Sequence, residues 1–136
     1  MGGRGQSSTS YRGSSGAHDA VSHGAVSELV DRLFAEVEKY PKLADGASET
    51  ISQLEAVKAG ADRVKVYRAA PSDRINNGDW VFMSREQADS FSRNRFTREV
   101  KPGYNVIEME VPVAQVGWTG KNLEFVYTGR SRKGVV

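Results

Sequence analysis

Val64-Lys65-Val66-Tyr67-Arg68-Ala69 and Trp80-Val81-Phe82-Met83-Ser84, joined through the turn residues Asn76-Asn77-Gly78-Asp79, decide how this chain is read. The first run alternates apolar and polar side chains, the period of a strand with one buried face. The second is almost continuously apolar, as in a strand covered on both faces. Gly and Asn tolerate positive φ and Asp bonds nearby backbone, so the segment between them is a turn. Moving toward the C-terminus, Lys101-Pro102-Gly103 makes a second turn before Asn105 to Val111, which alternates again. Val113, Val116 and Trp118 point to one more short strand before Thr119-Gly120, and Phe125 to Thr128 is a further buried run. Between the second and third strands, Arg85 to Phe91 reads as a short helix.

Toward the N-terminus the period changes. Val26, Leu29, Val30, Leu33, Phe34 and Val37 recur as on one face of a helix, Ser27 or Ser22 is placed to cap its start, and Pro41 forbids continuation past Tyr40. A weaker helix runs from a Ser48 cap through Ile51, Leu54 and Val57, with Gly60 as its stop. The two form a helical hairpin expected to cover the apolar face of a sheet. Residues 1 to 20 are mostly Gly, Ser, Thr and Arg, too poor in apolar surface to offset backbone entropy, and are expected to be a disordered tail. The expected organisation is therefore a tail (1–20), a helical hairpin packed on the core (21–62) and a β-rich core with a short basic C-terminal tail (63–136). Its class is α+β.

Composition narrows the chemistry. The 136 residues contain no Cys, which removes disulfides, thiol nucleophiles and thiolate metal sites together. The two histidines, His18 and His23, both lie in the N-terminal segment, so no metal site is expected. Nothing approaches the roughly 20 apolar residues of a membrane span, and the N-terminus lacks an apolar signal core. A cytosolic setting without membrane contact is the expectation. Residues 1–62 carry six basic against nine acidic side chains, and residues 63–136 carry thirteen against eight. Such a basic half suits nucleic acid, a nucleotide or an acidic protein.

No dinucleotide glycine fingerprint, phosphate loop or metal-ligand spacing is present. Polar residues at strand ends remain: Arg68 on the first strand, Ser84 closing the second and Glu124 opening the last. Val66-Tyr67-Arg68-Ala69-Ala70-Pro71, Ile75 through Arg85 (INNGDWVFMSR) and Asn122 through Tyr127 (NLEFVY) resemble the small ADP-ribosyltransferase domains of bacteriophages and mobile elements, over roughly residues 63–128. The resemblance implies a small split antiparallel β-sheet of the ADP-ribosyltransferase type, NAD as the substrate, and transfer of ADP-ribose onto a host protein or nucleic acid. It implies Glu124 and Ser84 as catalytic residues, with Arg68, Tyr67, Ser84 and Trp80 binding NAD. It also implies action in the cytoplasm of a host bacterium or delivery with the virion.

Those residue types suit the chemistry. Cleaving the nicotinamide glycosidic bond passes through an oxocarbenium-like cation that a carboxylate stabilises, the role implied for Glu124. Arg68 offers a fork of donors for phosphate or ribose oxygens, and Ser84 a short donor to hold the Glu124 carboxylate. Each has a plain reading too. Ser84 with Arg85-Glu86-Gln87 is a helix capping box, Arg68 and Glu124 are ordinary strand-edge charges, and Trp80 and Phe82 are core. Asn122, two positions before Glu124, stands where arginine-modifying relatives carry Gln or Glu, so arginine specificity is not implied; Glu108 and Glu110 share one strand face and are alternative carboxylates. The rival function is a non-catalytic phage binding module or inhibitor of host defence, gripping nucleic acid or an acidic protein through Arg93, Arg95, Arg98 and Lys101, interleaved with Phe91, Phe96 and Tyr104.

Overall fold

The computed structural model describes residues 22–136, in which α1 (Val26–Lys39) and α2 (Ser48–Lys58) precede β1 (Arg63–Ala70), β2 (Arg74–Ile75), β3 (Trp80–Val81), α3 (Arg85–Phe91), β4 (Asn105–Pro112), β5 (Val116–Trp118), β6 (Phe125–Tyr127) and β7 (Arg132–Lys133). The sequence-derived tail of residues 1–20 lies outside the described residues. The longest ladder joins β1 to β4, antiparallel, with all eight residues of each in register from Arg63 opposite Pro112 to Ala70 opposite Asn105. Strand period then divides the side chains. Val64, Val66 and Arg68 share a face with Ile107, Met109 and Val111, whose side chains are buried in the core; Lys65 and Tyr67 share the other with Glu108 and Glu110.

A second antiparallel sheet runs β3-β6-β5, and β2 pairs with β7. Phe82, just past β3, bridges Tyr67 of β1, so the two main sheets meet along that edge. Val81, Val116, Trp118, Phe125 and Tyr127 join the β1–β4 residues in one core. The fold is thus α+β, with small antiparallel sheets split into separate ladders.

The helical hairpin spans the split. Val26, Val30 and Leu33 of α1 are buried, and α1 packs against β5 while α2 packs against β1. Neither helix begins as expected. Ala25 and Ala47 occupy the cap positions without side-chain bonds. Instead His23 N donates to Trp118 O at 2.7 Å and Trp118 N to Gly24 O at 3.0 Å, so backbone pairing with β5 sets where α1 starts. Ser22 Oγ accepts from Gly24 N in that lead-in segment.

The last residues differ from a solvated basic tail. Arg132 and Lys133 are exposed yet pair with Ile75 and Arg74, and Val135 N and O both bond Glu108 of β4. Gly134 is the close-approach point: a Cβ there would lie 2.5 Å from Ile107 Cγ2 and 2.7 Å from Glu108 O. Gly134→Val is therefore expected to overpack this contact at a cost of about 1–3 kcal/mol. In a circular-dichroism melt that is a fall in Tm of roughly 3–10 °C; an unchanged Tm would mean the C-terminal strand is detached in solution.

Candidate functional site

Arg68 lies on the core face of β1, where that face runs out between the two sheets. Its Nη1 donates to Trp80 O at 2.8 Å and its Nε stands 3.4 Å from Asp79 Oδ2. The pair is largely enclosed, with side chains 19% and 6% exposed respectively. Asp79 also closes the turn before β3, its Oδ2 accepting from Asn76 N at 2.8 Å. The role expected for Arg68, holding a ligand, thus shares the guanidinium with a structural one.

Beyond Arg68 the apolar run turns over on a period of two. Val81 and Met83 are buried in the core, whereas Trp80 remains 47% exposed and Phe82 half-buried. Phe82 meets Phe91 of α3 with ring centroids 5.3 Å apart and planes tilted by 44°, a favoured aromatic geometry. These rings line a cleft of about 250 Å³ with Arg68, Asp79, Lys101, Tyr104 and Glu124. A second, more polar cleft of about 400 Å³ includes Lys42, Asp45, Glu86 and Gln87, and shares Phe82, Phe91 and Glu124 with the first. Glu124 sits on the boundary between them.

The turn from Thr119 to Glu124 fixes the backbone that carries that carboxylate. Thr119 bonds Glu124 O through both N and Oγ1, at 3.2 and 2.9 Å. Asn122 adopts φ 51°, a left-handed conformation Asn tolerates better than most residues, and donates from Nδ2 to Glu124 Oε2 at 3.5 Å. Its backbone oxygen accepts from Trp118 Nε1 at 2.9 Å, anchoring the turn to a buried indole.

Of the sequence-derived site residues, Arg68, Trp80 and Glu124 share the first cleft. Ser84 and Tyr67 are not among its lining residues. Ser84 is buried, donates from Oγ to Gly46 O at 2.8 Å and accepts from Gln87 N at 3.5 Å, capping α3 while tying it to the loop before α2. Tyr67 neighbours Arg68 and so points to the opposite face of β1. There its hydroxyl donates to Glu49 of α2, and burial followed by that bond raises its pKa far above the usual tyrosine range. Arg85 stacks over the Tyr67 ring at 5.3 Å and pairs with Glu108 at 2.9 Å. That pairing lowers the Glu108 pKa and raises that of Arg85. Glu110 pairs with Arg63. Both alternative carboxylates belong to this outer network and neither lines the cleft.

Among the described residues no group of three or more His, Cys, Asp or Glu is gathered as for a metal ion, and no helix is long and apolar enough to cross a membrane. Compared with protein-family models, curated proteins and solved structures, the chain matches none. Asp79 had only a turn signal in the sequence; its burial opposite Arg68 follows from pairing that no local pattern encodes. Ser84→Ala should remove a cap and strand the Gly46 carbonyl, lowering stability by about 1–2 kcal/mol by thermal or denaturant melt. Ligand affinity of the cleft should hold. Lost affinity at unchanged stability would return Ser84 to the site.

Proposed function

We propose that the chain is a mono-ADP-ribosyltransferase domain, acting on NAD in the cytoplasm of a bacterial host during phage infection. The reading rests on one observation above the others: Arg68 and Glu124, the first and last members of the family's motif order and distant in sequence, line the same cleft, with Trp80 beside them. The remaining lining fits the proposed substrate. Trp80, Phe82, Phe91 and Tyr104 offer ring faces to planar bases, while Arg68 and Lys101 offer donors to a pyrophosphate. The split antiparallel sheets are compatible with the fold type that the resemblance implies.

In this reading the substrate supplies a glycosidic bond that breaks through an oxocarbenium-like ribosyl cation, nicotinamide leaving with the electron pair and an acceptor lone pair closing on C1′ as its proton passes to solvent. Glu124 stabilises the developing positive charge and accepts from the ribose 2′-hydroxyl. Asn122, through its amide, orients that carboxylate. Because Glu124 borders both clefts, a ribose held beside it is open to an acceptor on more than one side. Arg68 keeps Trp80 against β1 while presenting its remaining donors to the ligand. Ser84 stands apart from the ligand, capping α3 and tying it to the loop before α2.

Glu124→Gln keeps size and reach but deletes the charge. Nicotinamide release and label transfer from NAD labelled in its adenylate half, measured with bacterial lysate as the acceptor source, should fall by about 100-fold or more, with apparent KM and Tm little changed. Absence of turnover by the native protein, or undiminished turnover by Glu124→Gln, would overturn the assignment. Arg68→Lys is a less clean probe, because loss of the planar fork also loosens the Asp79 and Trp80 contacts.

A further inference from the structure

Between α3 and β4 the chain makes a small hairpin that the fold holds firmly. Lys101 N donates to Ser92 O and Asn94 N to Glu99 O, both at 2.8 Å, and Arg93 bridges Val100. The Asn94 side-chain oxygen accepts from Phe96 N and Thr97 N at 2.8 and 3.1 Å, while Asn94 O accepts from Arg98 N. Arg93 is consumed internally, pairing with Asp89 at 3.0 Å and donating to Arg98 O. All this ordering presents a tip that packs on nothing. Phe96 is 85% exposed, and the Arg95 guanidinium lies 5.5 Å from its ring centroid. Arg98 adopts φ 65°, a conformation glycine takes at lower cost. Among the described residues neither Arg95 nor Arg98 has an acidic partner, and Glu99 is the sole carboxylate from residue 92 to 104. At the base of the hairpin Lys101 lies over the Tyr104 ring at 5.0 Å, and both line the first cleft.

We propose that this hairpin binds single-stranded nucleic acid, with a base stacked on Phe96 and phosphates held by Arg95 and Arg98. Rings alternating with cations along one ordered loop match the alternation of base and phosphate. An acidic peptide would use the cations and leave the exposed ring idle. A duplex would leave it idle too, since its bases are already stacked. An arginine in a left-handed position, with no side-chain hydrogen bond or ion pair among the described residues, fits a residue that serves a ligand. The hairpin leads from its tip to the cleft by way of Lys101 and Tyr104, so the strand bound here is also the acceptor; that extension alone rests on the transferase reading.

Fluorescence anisotropy with a fluorescein-labelled oligothymidylate of about twelve nucleotides, titrated at several salt concentrations, tests the proposal. The native protein should bind, more weakly as salt rises, and Phe96→Ala should reduce affinity by about 5- to 100-fold, the scale of losing one stacked base. Arg98→Gly should keep or raise Tm while weakening binding and lowering the salt slope by about one. A duplex of the same length should bind less tightly. No binding at low salt, equal affinity for the duplex, undiminished binding by both variants, or displacement by polyglutamate as effective as by unlabelled oligonucleotide would each overturn the proposal. Nicotinamide release to water separates the two readings: Phe96→Ala should leave it unchanged, and oligonucleotide binding by a protein with no NAD turnover would sink the transferase assignment alone.

Discussion

The enclosed pair between Arg68 and Asp79 is the contact on which the arrangement of the site depends. It crosses the split between the β1–β4 ladder and the β3-β6-β5 sheet, beside the Arg68–Trp80 bond and the Tyr67–Phe82 backbone pair. Asp79 accepts from Asn76 within its turn and its carbonyl accepts from Tyr127 N at 3.0 Å, while Gly78 N donates to Tyr127 O at 2.8 Å. Through its carboxylate Asp79 ties the first strand to the turn, and through its backbone it ties the turn to β6. Since β6 begins one residue after Glu124, the distance from the guanidinium to that carboxylate is set through the same clamp. Removing one partner of such a pair leaves an uncompensated charge, and losses of about 3–5 kcal/mol are typical.

The outer face of β1 carries a separate polar system with a different task. Gln53 of α2 spans Lys65 O and Met83 O at 2.8 and 2.9 Å and accepts from Lys65 N at 2.7 Å. With Glu49, Tyr67, Arg85 and Glu108 it fastens both helices to the strand. The helices in turn fix Phe91 and Ser84, so the aromatic wall of the cleft is supported from behind by charges that never reach it. Separating supporting charges from the cleft in this way leaves Arg68, Lys101 and Glu124 to face a ligand.

Long one-faced patterns were legible. The helical stripe from Val26 to Val37 and the alternation at Val64 to Ala69 and Asn105 to Val111 place α1, β1 and β4 to within a residue or two, and Arg85 to Phe91 is the third helix as read. The two-residue strands β2 and β7 carry no period, so basic residues at the chain's end looked like solvated tail. Ser84 caps α3 as its signature implied, without the return bond of a full capping box, since Gln87 Oε1 is buried with no hydrogen-bond partner among the described residues. Tyr67 shows where motif order outran geometry: adjacent strand residues face opposite ways, so it and Arg68 do not share a cleft. The same alternation removes Glu108 and Glu110. Trp80 and Phe82 looked like core because their run is apolar, but a strand open on one side turns alternate members toward solvent.

The most direct test of the NAD site uses the two indoles, Trp80 half open in the cleft and Trp118 buried with its Nε1 bonded to Asn122 O. In a two-dimensional amide and indole NMR spectrum of the full chain, titration with NAD should shift the Trp80 indole signal in a saturable manner, together with amides of Phe82, Tyr104 and Glu124, while Arg132 and Lys133 at the far β2–β7 pair stay in place. A Trp80 signal that does not move at millimolar NAD, or saturable shifts confined to residues outside the cleft, would contradict the account.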